Sequence, residues 1–228
     1  MNLSNRIETI KVALPTKGSY SEDACRLMET AGFICRRKGR QLVVVDSERN
    51  VEFYYLKFSD IARFVGQGYL DIGVIGQDLI CDSELPVYEV LLLGFEKVTW
   101  HYFCSKKNNR ALFEYEAPNI ATQHKNIVTK DMVRRGLKGT IIHMNGSVEI
   151  AIRLGIADLV ADLLCSGETT DENGLKAIGD PIMTSSLVLA ARNPREFLST
   201  SVNTFIDQVG NVLNLWQPTI KAHILRRY

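Results

Sequence analysis

The sequence predicts an α/β fold built as two lobes. Three observations predict it. Short runs rich in Val, Ile and Leu alternate with stretches whose apolar residues recur at helical spacing. The alternation starts afresh at Asn119, after the polar and irregular segment Lys106 to Glu116. The apolar run Ser186 to Ala191 then comes late enough to rejoin the first lobe. Lobe I is expected at 1–97 with 185–228, including a helical tail, and lobe II at 98–184. Two lobes crossed twice by one chain make the cleft between them the natural ligand site.

Lobe I opens with Ile7 to Leu14, an apolar run stopped by Pro15, the pattern of a buried strand entering a loop. The loop Pro15 to Tyr20 leads to a helix starting near Ser21 and Asp23. Ala24, Leu27, Met28 and Ala31 recur along it until Gly32 closes it. Lys17 and Gly18 thus fall at a strand's carboxyl end, the edge where open α/β sheets bind ligands. They read either as an anion contact or as an ordinary turn with a solvated lysine. Gln41 to Asp46 and Val51 to Lys57 pair as a hairpin across Ser47 to Asn50. A helix follows with Ser59 as N-cap and Ile61, Phe64 and Val65 as its apolar side. Asp71 to Asp78 is a short strand in which Gly73 and Gly76 let either a ligand or a packed helix approach the backbone. Tyr88 to Leu93 and Thr99 to Ser105 read as further strands.

Lobe II is expected to run through a strand at Asn119 to Thr122, a loop at Gln123 to Asn126, a helix to Arg135, and a strand from Gly139 to Met144. The polar loop Asn145-Gly146-Ser147 then introduces a short amphipathic helix, and Leu159 to Leu164 is a buried strand with Asp162 as its polar exception. The strand empties into Cys165-Ser166-Gly167-Glu168-Thr169-Thr170. Free backbone N–H groups in such a turn, with hydroxyls beside them, suit a phosphate; a plain surface turn is the alternative. Asp158 and Asp162, just upstream, are of the type that accepts hydrogen bonds from sugar hydroxyls or holds a metal-bound ligand. Phosphate and sugar together point to a sugar-phosphate donor. Gly174 to Ile178 and Ser186 to Ala191 are strands. Pro194 to Tyr228 reads as an amphipathic helix with a break near Pro218, lying on its own lobe or on a second subunit.

Composition narrows the functions. Lys and Arg number 27 against 26 Asp and Glu, a net charge of +1, so no basic field points to nucleic acid. The five cysteines lie scattered with no CxxC pair, which fits reduced buried thiols and a cytoplasmic setting. No signal-like or membrane-length apolar stretch is present. His101, His124, His143 and His223 lack metal-ligand spacing.

The ordered stretches Ala13 to Gly18, Arg40 to Val44, Asp71-Ile72-Gly73-Val74-Ile75-Gly76-Gln77-Asp78, Leu93-Gly94-Phe95, Ile120-Ala121-Thr122 and Asn145 to Leu175 carry a resemblance in register from about Ile10 to Pro194. Together they resemble the ATP phosphoribosyltransferase family in its short, catalytic-subunit form. The resemblance implies a type II periplasmic-binding-protein-like fold with a C-terminal helix. It implies attack by N1 of ATP on the anomeric carbon of phosphoribosyl pyrophosphate (PRPP), with Mg²⁺ carried by the substrate rather than by protein ligands alone. It makes Glu149, Asp158, Asp162, Cys165, Ser166, Gly167, Glu168, Thr169 and Thr170 the PRPP-binding set. Lys17, Gly18, Asp71, Gly76 and Asp78 become the nucleotide or pyrophosphate set, and no residue is assigned as acid or base. A homodimer or larger assembly and a regulatory subunit related to histidyl-tRNA synthetase are implied as well.

The chain departs from the family pattern at phosphate-facing positions. Arginine is usual at Ser19 and at Glu168, an arginine is usual near Lys57, and a lysine–tyrosine pair is usual at Gln123-His124. Each lost charge-assisted contact is worth about 1.5–3 kcal/mol. Arg36, Arg37 and Arg153 are the candidates to compensate. Two other readings stay open: a diverged phosphoribosyltransferase-like protein with another acceptor or no catalysis, and a cytoplasmic small-ligand-binding module of the same fold.

Overall fold

The computed structural model describes residues 9–16, 19–95, 97–164 and 173–224, and the side chains of all of these except 19 and 215–224. The chain divides into two compact units, Met1–Glu96 with Ser186–Tyr228, and Lys97–Ser185.

The first unit is a six-stranded mixed sheet with helices on both faces. Its strands are β1 (Ile10–Pro15), β2 (Val43–Asp46), β3 (Val51–Leu56), β4 (Ile72–Gly76), β5 (Tyr88–Leu92) and a late strand, Leu187–Ala191, that inserts between β4 and β5. β1 runs parallel to both β3 and β4, so the three carboxyl ends, Pro15, Leu56 and Gly76, share one edge. Alternation along each strand divides the core in two. Val12 and Leu14 of β1, Val74 of β4 and Leu189 pack with helix α1 (Ser19–Thr30) and the C-terminal helix, while Ala13, Ile75 and Val188 face α2 (Phe58–Gly66). α3 (Gln77–Ser83) follows directly on β4.

The second unit is a five-stranded sheet. β6 (Val98–Ser105), β7 (Asn119–Thr122), β8 (Thr140–His143), β9 (Leu159–Leu164) and β10 (Leu175–Ser185) lie in the order β10-β6-β9-β7-β8. β7, β8 and β9 are parallel, and helices α4 (Lys125–Arg135) and α5 (Ile150–Arg153) follow β7 and β8. The late strand of the first unit is therefore β11, and the C-terminal helix Thr200–Ile224 is α6. Val202, Phe205, Ile206, Val209 and Leu213 form the buried stripe of α6, with Phe205 against Phe33 at 4.7 Å between ring centroids.

Five local expectations change. The strand expected over Asp71 to Asp78 ends at Gly76, and Gln77 and Asp78 open α3 instead. α1 begins at Ser19 rather than near Ser21, whose hydroxyl donates to the Pro15 carbonyl at 2.6 Å and ties the helix to β1. α2 begins at Phe58 with Lys57 in the cap position, because the Phe58 ring packs against the core and draws the first turn forward of Ser59. β10 extends well past Ile178: a bulge between Ile178 and Met183 absorbs Gly179, at φ 68°, and Pro181. Arg135 donates to the carbonyls of Asp180 and Pro181, and Arg134 to that of Ile182, closing the bulge onto α4. α6 continues through Pro218 without the expected break; a proline removes one backbone donor, and the flanking turns keep theirs.

Candidate functional site

In the second unit the three parallel strands deliver their carboxyl ends to one edge, and the side chains gathered there are polar. β7 ends at Thr122, which is fully buried, and its hydroxyl accepts the His124 backbone N–H at 3.1 Å. The His124 ring stands edge-on to Trp100, with centroids 5.0 Å apart and planes 80° apart. β8 leads into the turn Asn145-Gly146-Ser147, where Gly146 has φ 142° and Ser147 φ 47°. A serine in the left-handed region carries backbone strain, which accumulates where a turn must be held in one shape. That turn sets the half-buried Glu149 at the start of α5.

Asp162 is the fourth residue of β9. Its carboxyl is held above the usual carboxylate value, first by burial and then by the neighbouring Glu149 charge. The Leu163 N–H, at 2.7 Å, and the His124 ring pull it the other way. Glu149, Asp162 and His124 therefore sit within electrostatic reach of one another at the strand end that precedes residues 165–170. Carboxylate oxygens of this kind accept hydrogen bonds from sugar hydroxyls. They are also the hard donors that Mg²⁺ takes alongside substrate phosphates. Among the described residues no group of three or more His, Cys, Asp or Glu is arranged to hold a metal ion.

Asp158 lies elsewhere. It immediately precedes β9, at the amino edge, where its carboxylate accepts the Asn119 N–H at 2.9 Å and its own N–H donates to the Asn119 carbonyl at 2.8 Å. Asp71 makes the same pair of bonds before β4: its carboxylate accepts the Lys11 N–H at 2.8 Å, and its N–H donates to the Lys11 carbonyl at 3.0 Å. Both carboxylates clasp the start of a neighbouring parallel strand, at the sheet edge away from the strand carboxyl ends.

At the carboxyl edge of the first unit, Thr16 donates its N–H to Leu56 and accepts the Arg37 guanidinium on its carbonyl at 2.5 Å. Arg37 also lies 4.9 Å over the Tyr55 ring, which places a cation beside the entry to Lys17. Arg36, by contrast, is committed to Glu29 through two bonds of 2.6 and 2.7 Å. Gly76 precedes α3, and Asp78 is buried in its first turn, where a carboxylate suits the helix dipole. The Gln77 side chain donates to Glu89 and accepts the Ser186 N–H, and Lys57 stands exposed before α2. Gly73 answers a question of close approach. A Cβ there would lie 2.4 Å from Cγ2 of Ile61, so the strand is bare because α2 rests on it. Lys17, Gly18, Cys165, Ser166, Gly167, Glu168, Thr169 and Thr170 fall outside the described residues, as does the side chain of Ser19.

Trp100 is a site neighbour that sequence reasoning missed. Its only signal was an aromatic in a β-rich run, and its position beside His124 depends on β6 reaching across β9 to the end of β7.

Two α/β units, each with parallel strands that share one carboxyl edge, define a fold class found in periplasmic binding proteins and in some transferases. The solved ATP phosphoribosyl transferase (HisG:HisZ) complex from Thermotoga maritima has this fold, with a TM-score of 0.76 and 22% identity over 90% of this chain and 98% of that one. A periplasmic binding protein of an arginine transport system from Legionella pneumophila also shares it, with a TM-score of 0.62 and 10% identity over 97% of this chain and 100% of that one. The family model of ATP phosphoribosyltransferase (HisG) matches residues 57–211. The ATP phosphoribosyltransferase of Corynebacterium jeikeium is 38% identical over 205 residues, covering 90% of this chain and 73% of that protein. That of Mycobacterium tuberculosis is 40% identical over 183 residues, covering 80% and 64%. The chain belongs to the ATP phosphoribosyltransferase family, transferases that carry out the first step of histidine biosynthesis.

Proposed function

We propose that the carboxyl edge of the second unit's sheet binds PRPP and that N1 of ATP is the acceptor. The observation that carries this reading is the convergence of Asp162, Glu149 and His124 at the end of β9. Residues Cys165 to Thr170 follow that strand and take the 5-phosphate, and Asp162 accepts hydrogen bonds from the ribose hydroxyls, with Glu149 beside it. In the transfer, N1 of adenine forms a bond to the anomeric carbon as the bond to pyrophosphate breaks. Positive charge develops on the sugar. Such a step is served by positioning and by fixed negative charge near the ring more than by a strong base. Asp162 supplies that charge, and the Asn145-Gly146-Ser147 turn fixes Glu149. Mg²⁺, when bound with PRPP, neutralises the departing pyrophosphate. Asp162 and Glu149 offer oxygen donors of the right chemistry to complete its shell.

In the first unit Lys17, Gly18, Gly76 and Asp78 serve the nucleotide or the pyrophosphate, and Arg37 offsets the loss of a cationic side chain at Ser19. Asp71 and Asp158 support the edges from beneath. We place the chain in the cytoplasm as a homodimer or larger assembly. We also assign it a regulatory subunit related to histidyl-tRNA synthetase, a reading supported by the two-component complex of the Thermotoga maritima protein. Among the described residues no helix is long and apolar enough to cross a membrane.

The test is mass spectrometry of the product. The purified chain is incubated with ATP, PRPP, Mg²⁺ and a pyrophosphatase, with and without such a subunit. Phosphoribosyl-ATP is expected, and Asp162→Asn should raise KM for PRPP about 10- to 100-fold, the equivalent of about 1.5–3 kcal/mol from a hydrogen bond to a charged group. Retained PRPP binding with no product in either mixture would point instead to another acceptor.

A further inference from the structure

Two buried thiols stand apart from the site described above. Cys25 lies in α1, and Cys35 lies just beyond the turn that ends that helix, where Gly32 takes φ 90° and reverses the chain. The reversal brings their Sγ atoms to 3.2 Å, and the Cys35 thiol also points at the Cys25 carbonyl at 3.3 Å. A disulfide needs about 2.05 Å between sulfurs, so about 1 Å of closure joins them. Cys35 is fully buried and Cys25 keeps 6% exposure, which makes Cys25 the sulfur that a small solute meets first.

We infer that Cys25 and Cys35 form a redox-active dithiol, a modification site at which a peroxide-class oxidant converts the pair to an intramolecular disulfide. In the first step the Cys25 thiolate attacks one peroxide oxygen. An S–O bond forms, the O–O bond breaks, and the departing hydroxide is protonated to water. In the second step Cys35 attacks the Cys25 sulfenic acid. The S–S bond forms, the S–O bond breaks, and hydroxide leaves with the Cys35 proton as a second water. Two electrons pass from the thiols to the peroxide. The surroundings support this division of labour. Hydrogen bonding from Cys35, and then the adjacent Tyr55 hydroxyl, hold the Cys25 thiol below its ordinary value in spite of burial and of Glu29, with Arg36 assisting. The bond to Cys25 and burial push Cys35 up, so it keeps the proton. A thiol poised as thiolate beside a protonated partner is the arrangement that oxidises selectively.

The pair is wired to the carboxyl edge of β1. Tyr55 donates to the Cys35 carbonyl at 2.8 Å, Arg37 rests on the Tyr55 ring, and Arg37 donates to the Thr16 carbonyl. Closing the disulfide draws Cys35 towards α1 and shifts this relay. The change reaches the Thr16 carbonyl, at the edge to which the reading above assigns the nucleotide or pyrophosphate.

Trypsin cuts after Lys17, Arg26 and Arg36, so the two cysteines leave on separate peptides, residues 18–26 and 27–36. The reduced full-length chain is treated with hydrogen peroxide, free thiols are alkylated, and the digest is mapped without reductant. A peptide pair joined between Cys25 and Cys35, two hydrogens lighter than the free peptides and released by dithiothreitol, is expected in protein whose circular dichroism stays native. Cys35→Ser should instead leave a sulfenic acid on Cys25 that dimedone traps. No joined pair in folded protein, or pairing with Cys81, Cys104 or Cys165 in its place, overturns the site. Hydrogen exchange of residues 14–20 should differ between the reduced and oxidised forms, and unchanged exchange overturns the relay whether or not the chain shows transferase activity.

Discussion

Gly73→Ala is the most economical test of how the first unit is assembled. The residue is buried in β4, and an added Cβ would lie 2.4 Å from Cγ2 of Ile61 and 3.1 Å from Cγ2 of Val65. Carbon atoms in contact sit about 3.5–4.0 Å apart, so the Ile61 methyl must retreat by more than about 1 Å. It cannot do so alone. The methyl branches from Cβ of a fully buried isoleucine on α2, where χ1 is nearly fixed, so the helix itself must lift off the sheet. Overpacking of this kind costs about 1–3 kcal/mol. For a chain of this size that lowers Tm by about 2–12 °C. Ile61→Leu removes the offending branch. The double variant should recover most of the loss, with a coupling energy of about 1 kcal/mol or more between positions that touch. Thermal unfolding followed by circular dichroism, on the parent, both single variants and the double variant, reads all four states. A Gly73→Ala protein melting within about 1 °C of the parent would refute the packing argument, and so would a loss that Ile61→Leu leaves untouched.

Other outcomes follow from the same geometry. Asp158→Ala and Asp71→Ala each remove the exposed carboxylate bond of a clasp, leave its backbone bond in place, and should cost about 1 kcal/mol of stability, with KM for PRPP changing less than in Asp162→Asn; an equal rise in KM would return both residues to the binding set. Burial holds the Asp162 carboxyl above its usual 3.8, so its contribution to stability is full below that pH and is lost as pH rises through the raised value. Asp162→Asn should therefore melt higher than the parent at pH 7, with the gap closing as pH falls towards about 4; a gap that widens on acidification would reverse the assignment. Tyr55→Phe cuts the bond to the Cys35 carbonyl and the contact with Cys25, and should slow peroxide-driven cross-linking of Cys25 to Cys35; an unchanged rate would remove Tyr55 from the relay.

What was legible in the sequence was whatever depends on neighbours in the chain. The strand at Leu159–Leu164, the β2–β3 hairpin and the apolar stripe of α6 all announce themselves through local periodicity, and each forms where that periodicity places it. The convergence of Glu149 and Asp162 was half legible, because Glu149 follows the Asn145-Gly146-Ser147 turn and Asp162 is the polar exception in an apolar strand. The roles of Asp71 and Asp158 were not, since the backbone groups they clasp lie 60 and 39 residues away. Gly73 was ambiguous for the same reason: the atoms that forbid a side chain belong to Ile61 and Val65. The five cysteines looked scattered, and only the reversal at Gly32 turns two of them into a pair.

The two clasps bear on function through register. In both units a helix ends, a glycine in the left-handed region follows (Gly68 at φ 78°, Gly155 at φ 70°), and three residues later an aspartate ties the next strand to the first parallel strand of its unit. The aspartate holds both the N–H and the C=O of one residue on the neighbour, so a slip of one position would break both bonds. Such a slip moves a strand by about 3.3 Å and turns every side chain to the opposite face. In β9 that would carry Asp162 away from Glu149 and His124, and in β4 it would bring a side chain where α2 needs Gly73. A strand whose far end must deliver a half-buried carboxylate against its own desolvation has reason to be pinned at its near end. Asp158, four residues before Asp162, supplies that pin: one carboxylate stabilises the strand whose other carboxylate burial disfavours.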